Sequence, residues 1–149
     1  MKQPKSAYSI RPAQIIDQKI ICTLLSDFKL PQDGLYKTKL WVLQLSNGVV
    51  AGVAGLELYG KQGLLRSVAI IKNMQNQGFG SILTSFVVEE AKKVGVTDLF
   101  LLTTTAPEFF EKLGFKGENR ENIVGGIKDS VEFKSACPET AVLMRLSLA

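Results

Sequence analysis

Apolar residues along this chain switch between two periodicities, and the switches mark out its elements. Tyr8-Ser9-Ile10-Arg11-Pro12 reads as a short first strand. Ile20, Ile21, Leu24, Leu25 and Phe28 then recur at helical spacing and make one apolar face. Asp17 stands where an N-cap is expected, Ile16 before it is placed to staple against Ile21, and Leu30-Pro31 ends the helix. Leu40 to Leu45 and Val49 to Leu58 are strand-like and meet at Asn47-Gly48, a strong hairpin signal. Gly60 and Gly63 bracket another turn, after which Leu64 to Ile70 pairs back antiparallel, so three strands form a meander. Gly52 and Gly55 thin the middle strand and predict a bulge or a close approach by another backbone.

The pattern changes again after Ile70. Ile82, Leu83, Phe86, Val87 and Ala91 share a helical face that Gly95 closes. Leu99-Phe100-Leu101-Leu102 is a continuous apolar run, the mark of a strand covered on both sides. Strand, helix and strand in this order predict a right-handed parallel crossover. Pro107 suits the first turn of a short helix that Gly114 ends. Glu118 to Ser135 is polar, with Gly125-Gly126 in its middle and helix-like Ile127 and Val131; Ala141 to Leu148 predicts a last strand. The expected fold is therefore α/β with a mixed, mostly antiparallel central sheet flanked by helices. Neither repeat nor linker interrupts it, so residues 1–149 are expected to form one domain.

Composition removes several alternatives. No apolar run reaches the length of a membrane span, and Met1-Lys2-Gln3-Pro4-Lys5 leads to no signal-like core, so a cytoplasmic protein is expected. Cys22 and Cys137 have no metal-ligand spacing and are too few for a disulfide scaffold; no metal is expected. The net charge of +4 comes without a basic run, which argues against nucleic acid but suits a polyanionic cofactor. With no histidine in the chain, proton transfer falls to Glu, Asp, Tyr, Cys, Lys or water.

The densest signal lies between Leu64 and Lys93. Gln75-Asn76-Gln77-Gly78-Phe79-Gly80-Ser81 separates the third strand from its helix. Gly78 and Gly80 let the backbone turn sharply, and the helix that follows offers unpaired amides to an anion. The spacing is neither the dinucleotide fingerprint nor a P-loop. On the glycines alone, an architectural turn that binds nothing remains open.

It fits Gln/Arg-x-x-Gly-x-Gly/Ala, with Leu-Arg-Ser-Val-Ala-Ile before it and Glu108-Phe109-Phe110-Glu111-Lys112-Leu113-Gly114-Phe115 after it. In this combination the chain resembles the GNAT superfamily of N-acetyltransferases. The resemblance implies that the strand before the loop and the strand after the helix splay apart and admit acetyl-CoA. Main-chain groups of Val68, Ala69 and Ile70 would pair with the pantetheine arm. The amides of Gln75, Asn76, Gln77, Gly78, Phe79, Gly80 and Ser81 would cradle the pyrophosphate. The Val68 amide would steady the thioester oxyanion as an amine attacks. Asn76, Gln77 and Phe79 stand where Gly, Lys/Arg and Ile/Leu are commoner in the family.

The same resemblance assigns side chains. Glu57, on a strand facing the cleft, is the first choice as base; an exposed strand carboxylate is the plainer account. Phe110 replaces the tyrosine that protonates the departing sulfur in many relatives, so its ring can pack beside pantetheine but gives no proton. Water, Tyr59 or unassisted thiolate departure must then serve. Arg66 meets either an acceptor carboxylate or an acid such as Glu57, and Thr103 either faces substrate or caps the next helix. Tyr36 is a weaker candidate for acceptor contact. A narrower resemblance, carried by Leu-Leu-Arg-Ser-Val-Ala-Ile, Leu-Leu-Thr-Thr-Thr-Ala and Cys137-Pro138, is to a bacterial GNAT branch associated with arsenic resistance. It implies a small-molecule amine acceptor. A non-catalytic acyl-CoA sensor is the competing class, and a homodimer through the final strands stays open.

Overall fold

The computed structural model describes residues 7–130, 132–136 and 140–148. Its elements are β1 (Tyr8–Pro12), α1 (Gln18–Asp27), β2 (Lys39–Leu45), β3 (Val50–Tyr59), β4 (Gln62–Ile70), α2 (Phe79–Lys93), β5 (Asp98–Thr103), α3 (Pro107–Lys112), β6 (Lys116–Gly117) and β7 (Val142–Ser147). One seven-stranded sheet runs in the order β1-β2-β3-β4-β5-β7-β6. Every neighbouring pair is antiparallel except β4 and β5, which the α2 crossover makes parallel.

Strand alternation sends successive side chains to opposite faces, and both faces are covered. Trp41, Leu43 and Leu45 of β2, Leu65 of β4, and Leu99 and Leu101 of β5 pack with Phe79, Leu83, Val87 and Ala91 of α2. On the other face Val42, Val53 and Ala69 meet Ile21, Leu24 and Leu25 of α1. Leu64, Phe100 and Leu143 are covered there by Ile123 and Ile127 from the segment between β6 and β7. Burying each such leucine or phenylalanine contributes about 1.5–3 kcal/mol, so the unreadable polar stretch turns out to seal part of the core.

Two local expectations are corrected. Asp17 does not cap α1 with its side chain; it accepts from the Gln14 amide at 2.7 Å and from both Arg11 terminal nitrogens at 2.7 and 3.0 Å. A charged, bidentate partner outcompetes a helix amide for the same oxygens. Ile16 is 82% exposed and staples nothing. The predicted crowding in β3 is present at Gly55, where a Cβ would sit 2.6 Å from Thr38 Cγ2 and 3.3 Å from the Arg66 carbonyl.

Candidate active site

The parallel pair is short. β4 and β5 are in register only from Gln62↔Asp98 to Leu64↔Phe100, although β4 continues to Ile70 and β5 to Thr103. Beyond Leu64 the strands part, and a cleft of about 840 Å³ opens between them. A bulge shapes its β4 wall. Two steps along β3, Val53 to Gly55, match three along β4, Ala69 to Arg66. Ser67 takes the left-handed conformation at φ 61°, uncommon for a non-glycine residue and buried here. The extra residue re-aims the strand so that Val68, Ala69 and Ile70 all line the cleft.

At one end the wall is backbone. Asn76 and Gly78 are both left-handed, at φ 67° and 87°, and turn the chain into α2. No described residue offers an acceptor to the amides of Gly78, Phe79, Gly80 and Ser81, as expected for a helix's first turn. These residues, with Gln75 and Asn76, line the cleft; Gln77 does not, and its side chain instead reaches the Met74 sulfur at 3.6 Å. Gln75 Nε2 donates to the Ile70 carbonyl at 3.0 Å, tying the loop to the end of β4. Phe79 spends its side chain on the core, so only its backbone faces the loop's concavity. Phe109 packs over Gly80, where a Cβ would meet its ring at 3.2 Å.

At the other end the wall is made of side chains. Arg66, whose side chain is fully buried, donates from Nη1 to Glu57 Oε2 at 2.7 Å and from Nη2 to the Pro31 carbonyl at 3.0 Å. Its Nε lies 3.1 Å from Glu132 Oε2 and 3.3 Å from Ser67 Oγ. Glu57 also accepts from the Tyr59 hydroxyl. The Thr38 hydroxyl lies 3.2 Å from Glu57 and 3.0 Å from the Gly34 carbonyl, so its one proton serves one of them at a time. Burial first, then the bond to Glu57, pushes the Tyr59 hydroxyl well above its usual range.

The assigned side chains are thus sorted. Arg66 takes the acid partner, Glu57. Glu57 itself does not line the cleft; three donors hold it behind Arg66, so it does not face the cleft as expected of a base. Tyr59 is likewise off the lining. Thr103 lines the cleft, and its Oγ1 accepts from the Ala106 amide at 3.1 Å, capping the approach to α3. Phe110 lines the cleft and stacks edge-on with Phe109 and Phe115. Tyr36 is 85% exposed and off the lining, beside Lys37. Sequence reasoning missed Glu132, which is buried and lines the cleft. Its segment carries no periodicity, and it docks through the contact of Glu132 with Arg66 and through Phe133, which packs against the Leu64, Phe100 and Leu143 cluster. Cys137 lies outside the described residues.

The parallel pair thus splays open beside the N-terminus of α2, and comparison with known proteins places the fold. A family model described as an acetyltransferase (GNAT) domain matches residues 37–117, and the chain belongs to this family. A Bacillus subtilis (strain 168) protein named as an acetyltransferase is 26% identical over 123 residues, 82% of each chain. The amino-acid acetyltransferase of Pasteurella multocida (strain Pm70) is 32% identical over 72 residues, 47% of this chain and 16% of that one. This chain therefore spans only a small part of that longer relative. Among solved structures, N-acetylglutamate synthase from Neisseria gonorrhoeae complexed with coenzyme A and N-acetyl-glutamate superposes with TM-score 0.80 at 19% identity, over 97% of this chain and 36% of that one. A Mycobacterium tuberculosis protein in complex with CoA gives TM-score 0.80 at 23% identity, over 95% and 99% of the two chains. Among the described residues, no helix is long and apolar enough to cross a membrane.

Proposed function

We infer that this acetyltransferase carries acetyl from acetyl-CoA directly to the amine of a small-molecule acceptor. The observation that carries the reading is the cleft itself: an open β4 wall running into four unpaired amides at the start of α2. Pantetheine would lie along Val68 to Ile70 as an added strand, and the pyrophosphate would rest on the loop from Gln75 to Ser81. The thioester oxygen would then sit by the Val68 amide at the bulge, where a donor stabilises the oxyanion. Phe110 would pack beside the thioester arm. No tyrosine hydroxyl lines the cleft among the described residues. A thiol with pKa near about 8.5 can leave as thiolate, so departure does not require an acid there.

Relatives named as amino-acid acetyltransferases and the N-acetylglutamate-bound neighbour support a small acceptor rather than a protein tail. The narrower resemblance to the arsenic-associated branch supports including toxic amines in any acceptor screen. The test is calorimetric titration with acetyl-CoA, with CoA, ATP and NAD as controls. Micromolar binding of acetyl-CoA and CoA, without ATP or NAD, is expected. Absence of acetyl-CoA binding would overturn the assignment. Amine-dependent CoA release then separates transfer from mere sensing.

A further inference from the structure

The bulge that opens the cleft also brings a hydroxyl to its wall. Among the described residues, the hydroxyl-bearing side chains on the lining are Ser67, Ser81, Thr103, Thr104 and Thr105. Thr104 and Thr105 are exposed, Ser81 and Thr103 are half-buried, and Ser67 alone of the five is buried, at 4% exposure. Its Oγ accepts from Arg66 Nε at 3.3 Å. A guanidinium has no acceptor atom, so this contact occupies an oxygen lone pair and leaves the hydroxyl proton unspent. Among the described residues nothing accepts that proton. A hydroxyl that receives a bond from a cation is the stronger donor for it, because each bond in such a chain polarises the next. The backbone points the same way. Ser67 sits at φ 61°, a conformation that glycine adopts freely and serine adopts at a cost. The position thus carries a side chain that the bulge itself does not need.

We propose that Ser67 is a catalytic residue whose hydroxyl donates to the thioester oxygen of acetyl-CoA and stabilises the oxyanion that forms there, with Arg66 as its positioning residue. The proposal rests on the acetyltransferase reading, which sets the thioester at the bulge. The lone pair of the neutral amine forms the C–N bond at the thioester carbon, and the carbonyl π pair moves onto oxygen. The Ser67 O–H bond stays intact, and its hydrogen bond strengthens as that oxygen gains charge. When the carbonyl re-forms, the C–S bond breaks with its electron pair leaving on the CoA sulfur, which takes the proton that nitrogen gives up. A donor already fixed in a buried wall needs no reorganisation when the charge arrives, and there it stabilises far more than in water. Arg66 supplies the fixing. Glu57 and the Pro31 carbonyl hold its two terminal nitrogens at 2.7 and 3.0 Å, so Nε stays on Ser67. This role differs from that of the tyrosine replaced by Phe110, because no proton passes from Ser67 to sulfur.

The test has a spectroscopic arm and a kinetic arm, each comparing the unaltered protein with Ser67→Ala. Isotope-edited infrared spectra of bound, carbonyl-labelled acetyl-CoA read the hydrogen bond directly, since a donor lowers the carbonyl stretch. The band is expected to move to higher frequency in Ser67→Ala. CoA release is measured with butylamine, glutamate or, failing both, water as the nucleophile. There kcat is expected to fall about a hundredfold, while acetyl-CoA affinity and KM for the amine stay within about twofold. A purely structural serine would shift affinity or stability and leave the carbonyl band alone. Absence of acetyl-CoA binding by the unaltered protein defeats the acetyltransferase reading and the proposal with it. Binding with an identical band in parent and variant defeats the proposal alone, and so does a kcat within about twofold of the parent. Should Ser67→Ala fail to fold or to bind acetyl-CoA, Ser67→Gly decides, because glycine suits φ 61° and lacks the hydroxyl. A glycine variant with the parent's band and rate would overturn the assignment.

Discussion

The cleft has a backbone end and a side-chain end, and they follow different rules. At the backbone end, the amides of Gly78 to Ser81 are left without an acceptor among the described residues because a helix starts there. Almost any side chain could replace Gln77 without removing those donors, whereas Asn76, at φ 67°, favours asparagine, aspartate or glycine. At the side-chain end, Arg66, Glu57 and Glu132 arrive from β4, β3 and the segment before β7, and each is useful only in the company of the others. A site built on one local turn tolerates change; a site assembled from three distant strands and loops does not.

The largest expected effect on cofactor affinity breaks the backbone end. Gly78→Asp puts a Cβ on a residue at φ 87° and a negative charge among the free amides. Acetyl-CoA affinity should fall about a hundredfold or more by calorimetry; retained affinity would remove the loop as the phosphate seat. Next is the side-chain end. Arg66→Met removes the cation shared by two buried carboxylates, and urea denaturation should show a loss of about 3–5 kcal/mol. Arg66→Lys should rescue little, because a single ammonium cannot reproduce the fork. Full rescue by lysine would show that charge alone, not geometry, holds this end together.

The smallest effect supplies the contrast, a partly buried pair off the cleft lining. The hydrogen bond from Arg11 holds the Asp17 carboxyl below the usual carboxylate range, aided by the Gln14 amide and Coulomb attraction against the cost of burial. A depressed folded-state pKa adds stability that is present above the ordinary carboxylate pKa of about 3.9 and is lost as pH falls through the folded value. Asp17→Asn should therefore cost about 2 kcal/mol at neutral pH and remove part of the acid sensitivity of unfolding. Acetyl-CoA affinity and amine turnover should not change. If they do, the two ends of the cleft are less independent of the scaffold than their geometry implies.

Much of this was readable before any coordinates. Periodicity marked β2, β3, β4, α2 and β5, because each buries a regular stripe, and the parallel crossover followed from their order. Gln75, Gly78 and Gly80 marked the turn into α2 and its free amides, because these belong to the local backbone. Arg66, charged among apolar neighbours, announced a buried partner. Reading failed where partners are distant in sequence. Placing β7 between β5 and β6 depends on edge pairing across more than the local pattern. Glu57 read as facing the cleft because alternation shows a face of the sheet, not which donors will claim a side chain.

What the sequence determined by itself is therefore the sheet-and-crossover scaffold and the glycine turn into α2, both consequences of local backbone geometry and short-range periodicity. Only the tertiary structure decided the side-chain end. Glu132 lies in a stretch with no regular pattern, and Arg66 had two chemically reasonable partners. The choice was made by packing, when Ile123 and Ile127 sealed Leu64, Phe100 and Leu143 and the segment carrying Glu132 came to rest against β4. A buried guanidinium takes the carboxylates that folding delivers to it, and one sequence window cannot contain that event.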